Sequence, residues 1–260
     1  SIAANIIGLQ ADDTPRPNRL GIRLAGNGTE VRNNLISGNI DFGVVIDRLA
    51  AGDAFPMDNV VRSNFIGTNS AGTAAVANSG PGVSIEGNQN EISYNLVSGN
   101  AGVGISVLGN TNTVFGNKIG TNHLLGDTAI GNTEGGIAIF GSSNFIRSNL
   151  ISGNLGGIAL QRHPDRPDLS PTGNIIDDNN IGVNAALTAA VPNASGGIAL
   201  LNATNNQLTR NIVAGNGTVG IGIAQGSTGN TLTLNYIGVA PGGVVIPNDG
   251  PGIYIKESAG

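Results

Sequence analysis

Cysteine is absent from the 260 residues, which removes a disulfide framework, a thiolate metal site and a thiol nucleophile at once. Charged residues make up only 11% of the chain and aromatics 3%. The 12 Lys and Arg are scattered, the net charge is −5 and the isoelectric point lies near 4.8. No basic cluster exists to neutralise phosphates or anionic headgroups, so neither nucleic acid nor a membrane surface is an expected partner. No apolar run reaches the roughly 20 residues of a membrane-spanning helix, so membrane insertion is not expected either. Scarce charge does not mean disorder here, because 39% of the residues are hydrophobic, enough for one large domain with a core.

Glycine, by contrast, is abundant at 42 residues and recurs in a fixed setting. A Gly followed by alternating apolar residues appears as GIRL from Gly21, GVVI from Gly43, GVSI from Gly82, GISV from Gly104 and GIAI from Gly136. The pattern returns at Gly157, Gly197, Gly220 and Gly252, with successive spacings of 22, 39, 22, 32, 21, 40, 23 and 32 residues. Short and long units therefore alternate. A second signal, N-x-I-x-x-N-x-I, sits inside the units. One of its columns holds Asn5, Asn34, Asn64, Asn95, Asn117, Asn149, Asn179, Asn211 and Asn235. Another starts at Thr29 and runs through Asn59, Asn90, Asn112, Asn144, Asn174, Asn206 and Asn230. The hexapeptide NLISGN is written at Asn34 and again at Asn149, with the variants NLVSGN at Asn95 and NIVAGN at Asn211.

Short alternating apolar stretches are strands with one buried face. About 22 residues accommodate three such strands and three turns, which is one coil of a solenoid with columns stacked about 4.8 Å apart. Parallel strands joined by crossovers coil right-handed. The expected fold is all-β: a single-domain right-handed parallel β-helix over residues 1–260, of about nine coils, with short coils of about 22 residues alternating with long ones of 32–40. A stacked Asn donates to the coil on one side and accepts from the other, and Asn also tolerates the left-handed backbone of a sharp corner. The Asn columns read as structural ladders.

The pattern resembles right-handed parallel β-helix repeat proteins, the pectate-lyase-like superfamily in the broad sense. NFIGTNSAGTAAVANSGPGVSI, Asn64 to Ile85, resembles the I-G-T…G-T-A…N…G-V-x-I repeats of large secreted or surface proteins of bacteria. That resemblance implies an extracellular or cell-surface location in a bacterium. It also sets up motifs to look for. Pectate-lyase-like enzymes imply clustered calcium-binding aspartates with an Arg or Lys base. Polygalacturonase-like enzymes imply several Asp on neighbouring coils plus a His, and alginate epimerase-like ones a D-P-H-E-type motif. None is present here as a motif.

In the Gly-I-x-I strand the x residues face outward. Two insertions interrupt the step that follows it: RLAAGDAFPM (Arg48 to Met57) and QRHPDRPDLSP (Gln161 to Pro171). They lie four coils apart, about 19 Å at the strand spacing. Between them the outward strip is floored by Ser84, Glu86, Ser106, Leu108, Ala138 and Phe140, and Arg48, Gln161, Arg162 and Arg166 rise from the loops. This strip is the candidate ligand groove, for a polysaccharide or cell-surface glycan; the competing reading is a plain surface. Asp47 and Glu86 share a column on adjacent coils, which places their carboxylates about 5 Å apart. That is the spacing of a retaining glycosidase pair, or half of a calcium site. A solvated pair of carboxylates, screened by Arg23, Arg48 and Arg62, is the commoner arrangement and the preferred reading. His163 and Asp165 are the remaining catalytic candidates, a loop His among charges being more often plain surface. Asp177 and Asp178 are assigned to a surface pair with Arg147. No metal or cofactor is expected apart from calcium at the acidic pair.

Without a catalytic constellation, the expected function is an extracellular structural or adhesive module, stalk- or filament-like. The alternative is a β-helix that binds or degrades polysaccharide through the groove, as a lyase, glycosidase or epimerase would. Two further expectations concern shape. The excursions Thr68 to Asn78 and Val183 to Asn193 should fold back over outward Leu35, Phe65, Leu96, Leu150, Ile212 and Tyr236, which would otherwise face water. The chain opens inside one coil and closes one strand into another, with no capping element. It therefore reads as a segment of a longer array, or as a protomer that associates head to tail.

Overall fold

The computed structural model describes residues 1–256. The N-x-I pattern of each unit forms two short strands and the Gly-I-x-I pattern a third. They stack into three parallel sheets of nine strands each. The first sheet runs from Ile2–Ala3 through Glu30–Arg32 to Thr231–Thr233, and the second from Ile6–Ile7 through Leu35–Ile36 to Tyr236–Ile237. The third runs from Ile22–Leu24 through Val44–Ile46 to Ile253–Ile255. Register follows the repeat: Arg23 pairs with Val45, Val45 with Ser84 and Ser84 with Ser106. This is the nine-coil right-handed β-helix that the repeat implies, and no α-helix occurs among the described residues.

Each coil sends one aliphatic side chain inward from the first sheet, one from the second and two from the third. Val61, Ile66, Val83 and Ile85 are such a set, all fully buried. Columns of like residues stacked along the axis make one continuous core, so each coil depends on its neighbours for burial.

Three Asn ladders, not two, run the length of the helix. In the first, Asn95 Nδ2 and its backbone N–H both donate to Asn117 Oδ1, at 3.0 and 2.9 Å, and Asn117 repeats this to Asn149. The second links Asn59, Asn90 and Asn112 in the same way. The third combines the Asn of S-G-N with the Asn that ends each excursion, in the order Asn39, Asn78, Asn100, Asn132, Asn154. The left-handed corner residue is not the ladder Asn itself but the one before it: Ser63, Tyr94, Ser148 and Arg210 all have φ between 52° and 55°. The Asn side chain turns inward just past the corner and caps it.

The excursions leave the second sheet on alternate coils and fold back over it as small hairpins, closed by pairs such as Thr68 with Ala75 and Val183 with Ala190. They cover the outward residues there: Leu35, Leu96, Leu150 and Ile212 are buried and Phe65 half-buried, whereas Tyr236 remains 45% exposed. The repeated hexapeptide is the seat for these hairpins. Its Ser hydroxyl joins the next long coil: Ser98 Oγ accepts from the Gly120 N–H and donates to the Thr121 carbonyl. Its Gly N–H donates to the returning hairpin arm, as Gly99 does to Ile130. Its Asn belongs to the third ladder.

Candidate functional site

The third sheet is not covered by excursions, and its outer face carries the groove. Two outward columns cross it, Arg23–Val45–Ser84–Ser106–Ala138–Ala159–Ala199 and Asp47–Glu86–Leu108–Phe140–Gln161–Leu201. Their chemistry changes along the axis. At the N-terminal coils the residues are charged. Arg23 grips Asp47 with two hydrogen bonds of 2.7 and 2.8 Å and reaches the Arg48 carbonyl at 3.1 Å. The Asp47 carboxylate is thus held by Arg23, which lies one coil away on the side opposite Glu86. Arg48 places its guanidinium 4.5 Å from the centre of the Phe55 ring.

The second inserted loop does not stand up as one wall of an open strip. Two tight turns, closed by Arg166 N–H to the His163 carbonyl and Leu169 N–H to the Arg166 carbonyl, lay it back toward the N-terminal coils. Leu169 packs on the cluster of Val103, Ala138 and Phe140. Arg166 chelates Asp168 with two bonds of 3.1 Å, which holds the Asp168 carboxyl below its ordinary value, and Arg166 also lies within range of Glu86. Phe55 of the first loop and Leu169 of the second share a cavity of about 260 Å³ with Glu86 and Leu108. The expected strip is therefore roofed at Glu86 and Leu108, and Ser84 and Ser106 retain only 6% and 7% exposure.

The open groove lies further toward the C-terminus, a cavity of about 500 Å³ over the coils of Ser106, Ala138, Ala159 and Ala199. One wall is Phe140, Gln161, His163 and Leu201. The His163 ring meets Phe140 edge to face with centroids 4.8 Å apart. The Asp165 N–H donates to His163 Nδ1 at 3.2 Å, which leaves Nε2 as the N–H of the neutral ring. The opposite wall comes from the residue just before each repeat Gly. That column reads Leu20, Phe42, Pro81, Val103, then Gly135, Gly156, Gly196, then Val219, Pro251. Three consecutive coils replace a bulky side chain by hydrogen at the coils whose floor is alanine. Small residues on two sides cut the notch, and Glu134 and Ser195 stand at its lip.

Of the sequence candidates, Ser106, Phe140, Gln161 and His163 come together here; Ser84, Glu86, Leu108 and Arg166 lie in or beside the roofed section, and Arg48 is in the first loop. Arg162 and Asp165 are exposed. Glu134, Ser195 and the three wall glycines went unread in the sequence, although the switch from Pro and Val to Gly was visible there. Asp177 is a correction: it pairs with Arg210 at 2.6 Å, and Arg147 instead lies over the Phe115 and Phe145 rings. Among the described residues no group of three or more His, Asp or Glu is placed to hold a metal ion.

The sequence pattern of the right-handed β-helix region matches residues 77–237, more than half of the chain. The chain belongs to the right-handed β-helix family. No curated protein matches it. Two solved structures share the fold of this β-helix. The A-module of mannuronan C-5 epimerase AlgE4 from Azotobacter vinelandii superposes with a TM-score of 0.59 at 16% identity, over 90% of this chain and 58% of that one. The periplasmic alginate epimerase AlgG, solved as a double mutant, gives 0.55 at 15% identity, over 83% of this chain and 47% of that one. The β-helix described here thus spans about half the length of each.

Proposed function

We propose that this β-helix is an extracellular adhesive module that holds a polysaccharide in the groove of its third sheet. The observation that carries the reading is the notch itself. Alanine floor and glycine wall coincide in three successive coils, against a ledge formed by Phe140 and His163. Its volume lies in the range of ligand sites, and its lining combines apolar surface with a few convergent polar groups. The two solved structures of like fold are named for enzymes of polysaccharides, which supports the ligand class. The rigid stack of coils supports a holding role, because neighbouring coils give the groove no hinge to close.

The test is a glycan array followed by calorimetry, with Ala159→Trp as the groove-filling variant. Ala159 projects outward from the sheet, so the variant should fold and melt as the parent does while losing glycan binding. Unchanged binding by Ala159→Trp would remove the groove from consideration. A second reading, a polysaccharide-modifying enzyme, is favoured by one observation: His163 and Glu134 both line the groove, a base and an acid in one cleft. Turnover of any polysaccharide, lost in His163→Ala, would establish that reading over the first.

A further inference from the structure

We infer that the groove selects an uncharged glycan and discriminates against uronate chains, an inference that rests on the reading of the groove as a glycan site. The argument begins with charge. Among the residues that line the groove, the only ionisable side chains are Glu134 and His163. Neither Lys nor Arg reaches it. Arg23 and Arg166 of the same face are engaged by Asp47 and Asp168, and Arg162, between Gln161 and His163 in the chain, is exposed and does not line the groove. A uronate chain carries a carboxylate on every sugar. Bound here, it would give up hydration without a counter-charge and would meet the Glu134 carboxylate and a chain of net charge −5.

The groove instead offers what hydroxyls and C–H faces need. Ser106 is 7% exposed and faces the groove, and its hydroxyl bonds to no other described residue, so it has a hydrogen bond left to make. The Gln161 amide and the His163 Nε2–H supply further donors, and Ala138, Ala159 and the edge of Phe140 supply apolar contact. Gly156 points the same way. Its backbone is not in the left-handed region and a Cβ built on it meets nothing within 4 Å. A side chain there would suit backbone and packing and would narrow the groove, whereas Gly135 and Gly196, with φ of 145° and 129°, are glycines that the backbone itself favours.

The measurement is calorimetric titration with two probes of equal length, a hexasaccharide of β-1,4-linked mannose and a hexasaccharide of mannuronate, at low and moderate salt. The expected result is that the neutral probe binds at least about tenfold more tightly, the ratio one unfavourable charge contact produces. Its affinity should be insensitive to salt. Glu134→Gln should narrow the gap by improving the mannuronate probe alone. Mannuronate bound as tightly as mannose or tighter, and lost in Ala159→Trp, would overturn the inference while leaving the groove as a glycan site. If neither these probes nor any arrayed glycan binds, the glycan reading falls and this inference with it.

Discussion

Gly99 and Ala75 belong to different coils, and a Cβ built on Gly99 would lie 2.6 Å from the Ala75 Cβ. Gly99 also has φ of 73° and donates its N–H to Ile130, so this one position serves the corner, the hairpin before it and the hairpin after it. Gly153 meets the Cβ of Ala129 in the same way at 2.8 Å, and Gly215 that of Ala190 at 2.7 Å. The G of NLISGN and the A of the excursions are one fitted pair, repeated every second coil. Gly99→Ala should therefore destabilise the fold by about 1–3 kcal/mol, through backbone strain and displacement of Ala75. Gly26→Ala, where an added Cβ meets nothing within 4 Å and φ is not left-handed, should cost a few tenths at most. Urea unfolding of the two variants side by side checks the contrast; equal midpoints would contradict it.

The ladders should tolerate truncation at their ends and not in the middle. Asn117→Ala removes the acceptor of the Asn95 N–H and Nδ2 and the donor to the Ile92 carbonyl, all buried. The expected cost is about 2–4 kcal/mol, from buried polar groups left without partners. Asn5→Ala, at an exposed ladder end, should cost well under half of that. Chemical denaturation of both variants measures the difference.

His123 packs on Phe65 with ring centroids 4.5 Å apart and planes tilted by 52°, and its carbonyl accepts from the Lys118 ammonium. Burial, and then the Lys118 charge, push the imidazole below its ordinary value. The folded state thus binds fewer protons than the unfolded chain as pH falls through about 6.5, so this contribution to stability is complete above that pH and lost below it. An NMR titration should place the His123 midpoint below 6.5, and Lys118→Met should move it back upward. A midpoint at or above the ordinary value would show that burial against Phe65 and the Lys118 charge do not govern this ring in the folded state.

Phe140 is 7% exposed although it lies on the outer face, because the 161–171 loop lies down on it through His163 and Leu169. Phe140→Ala should cost about 2–3 kcal/mol, less than a core aromatic, since the loop collapses into part of the space. Its sharper consequence is local. Limited proteolysis should cut within the loop in the variant and spare it in the parent, while the sheet registers stay unchanged by hydrogen exchange. Cutting at equal rates would mean that Phe140 does not anchor the loop.

Much of this protein was determined by the sequence alone, because a solenoid must satisfy every coil with the coils beside it. Each position is then written nine times, and stacking turns a column of letters into a column of contacts. The Ile and Val columns, the first two Asn ladders, the outward course of Arg23, Ser84 and Ser106 and the shielding of Leu96 were all legible on those terms. What the tertiary structure decided were the features written once or twice. The 161–171 loop could not be placed from sequence: its fall toward Glu86 depends on Leu169 finding Phe140 and on Arg166 finding Asp168, contacts with no counterpart in other coils. The third ladder joins an Asn from a short coil to one beyond a ten-residue hairpin, so its column becomes visible only when the hairpins fold away. The groove has the same origin. Gly135, Gly156 and Gly196 read as more of an abundant residue until the floor alanines and the Phe140 ledge are seen on either side of them. An opening is a relation among surfaces, and no single column encodes it.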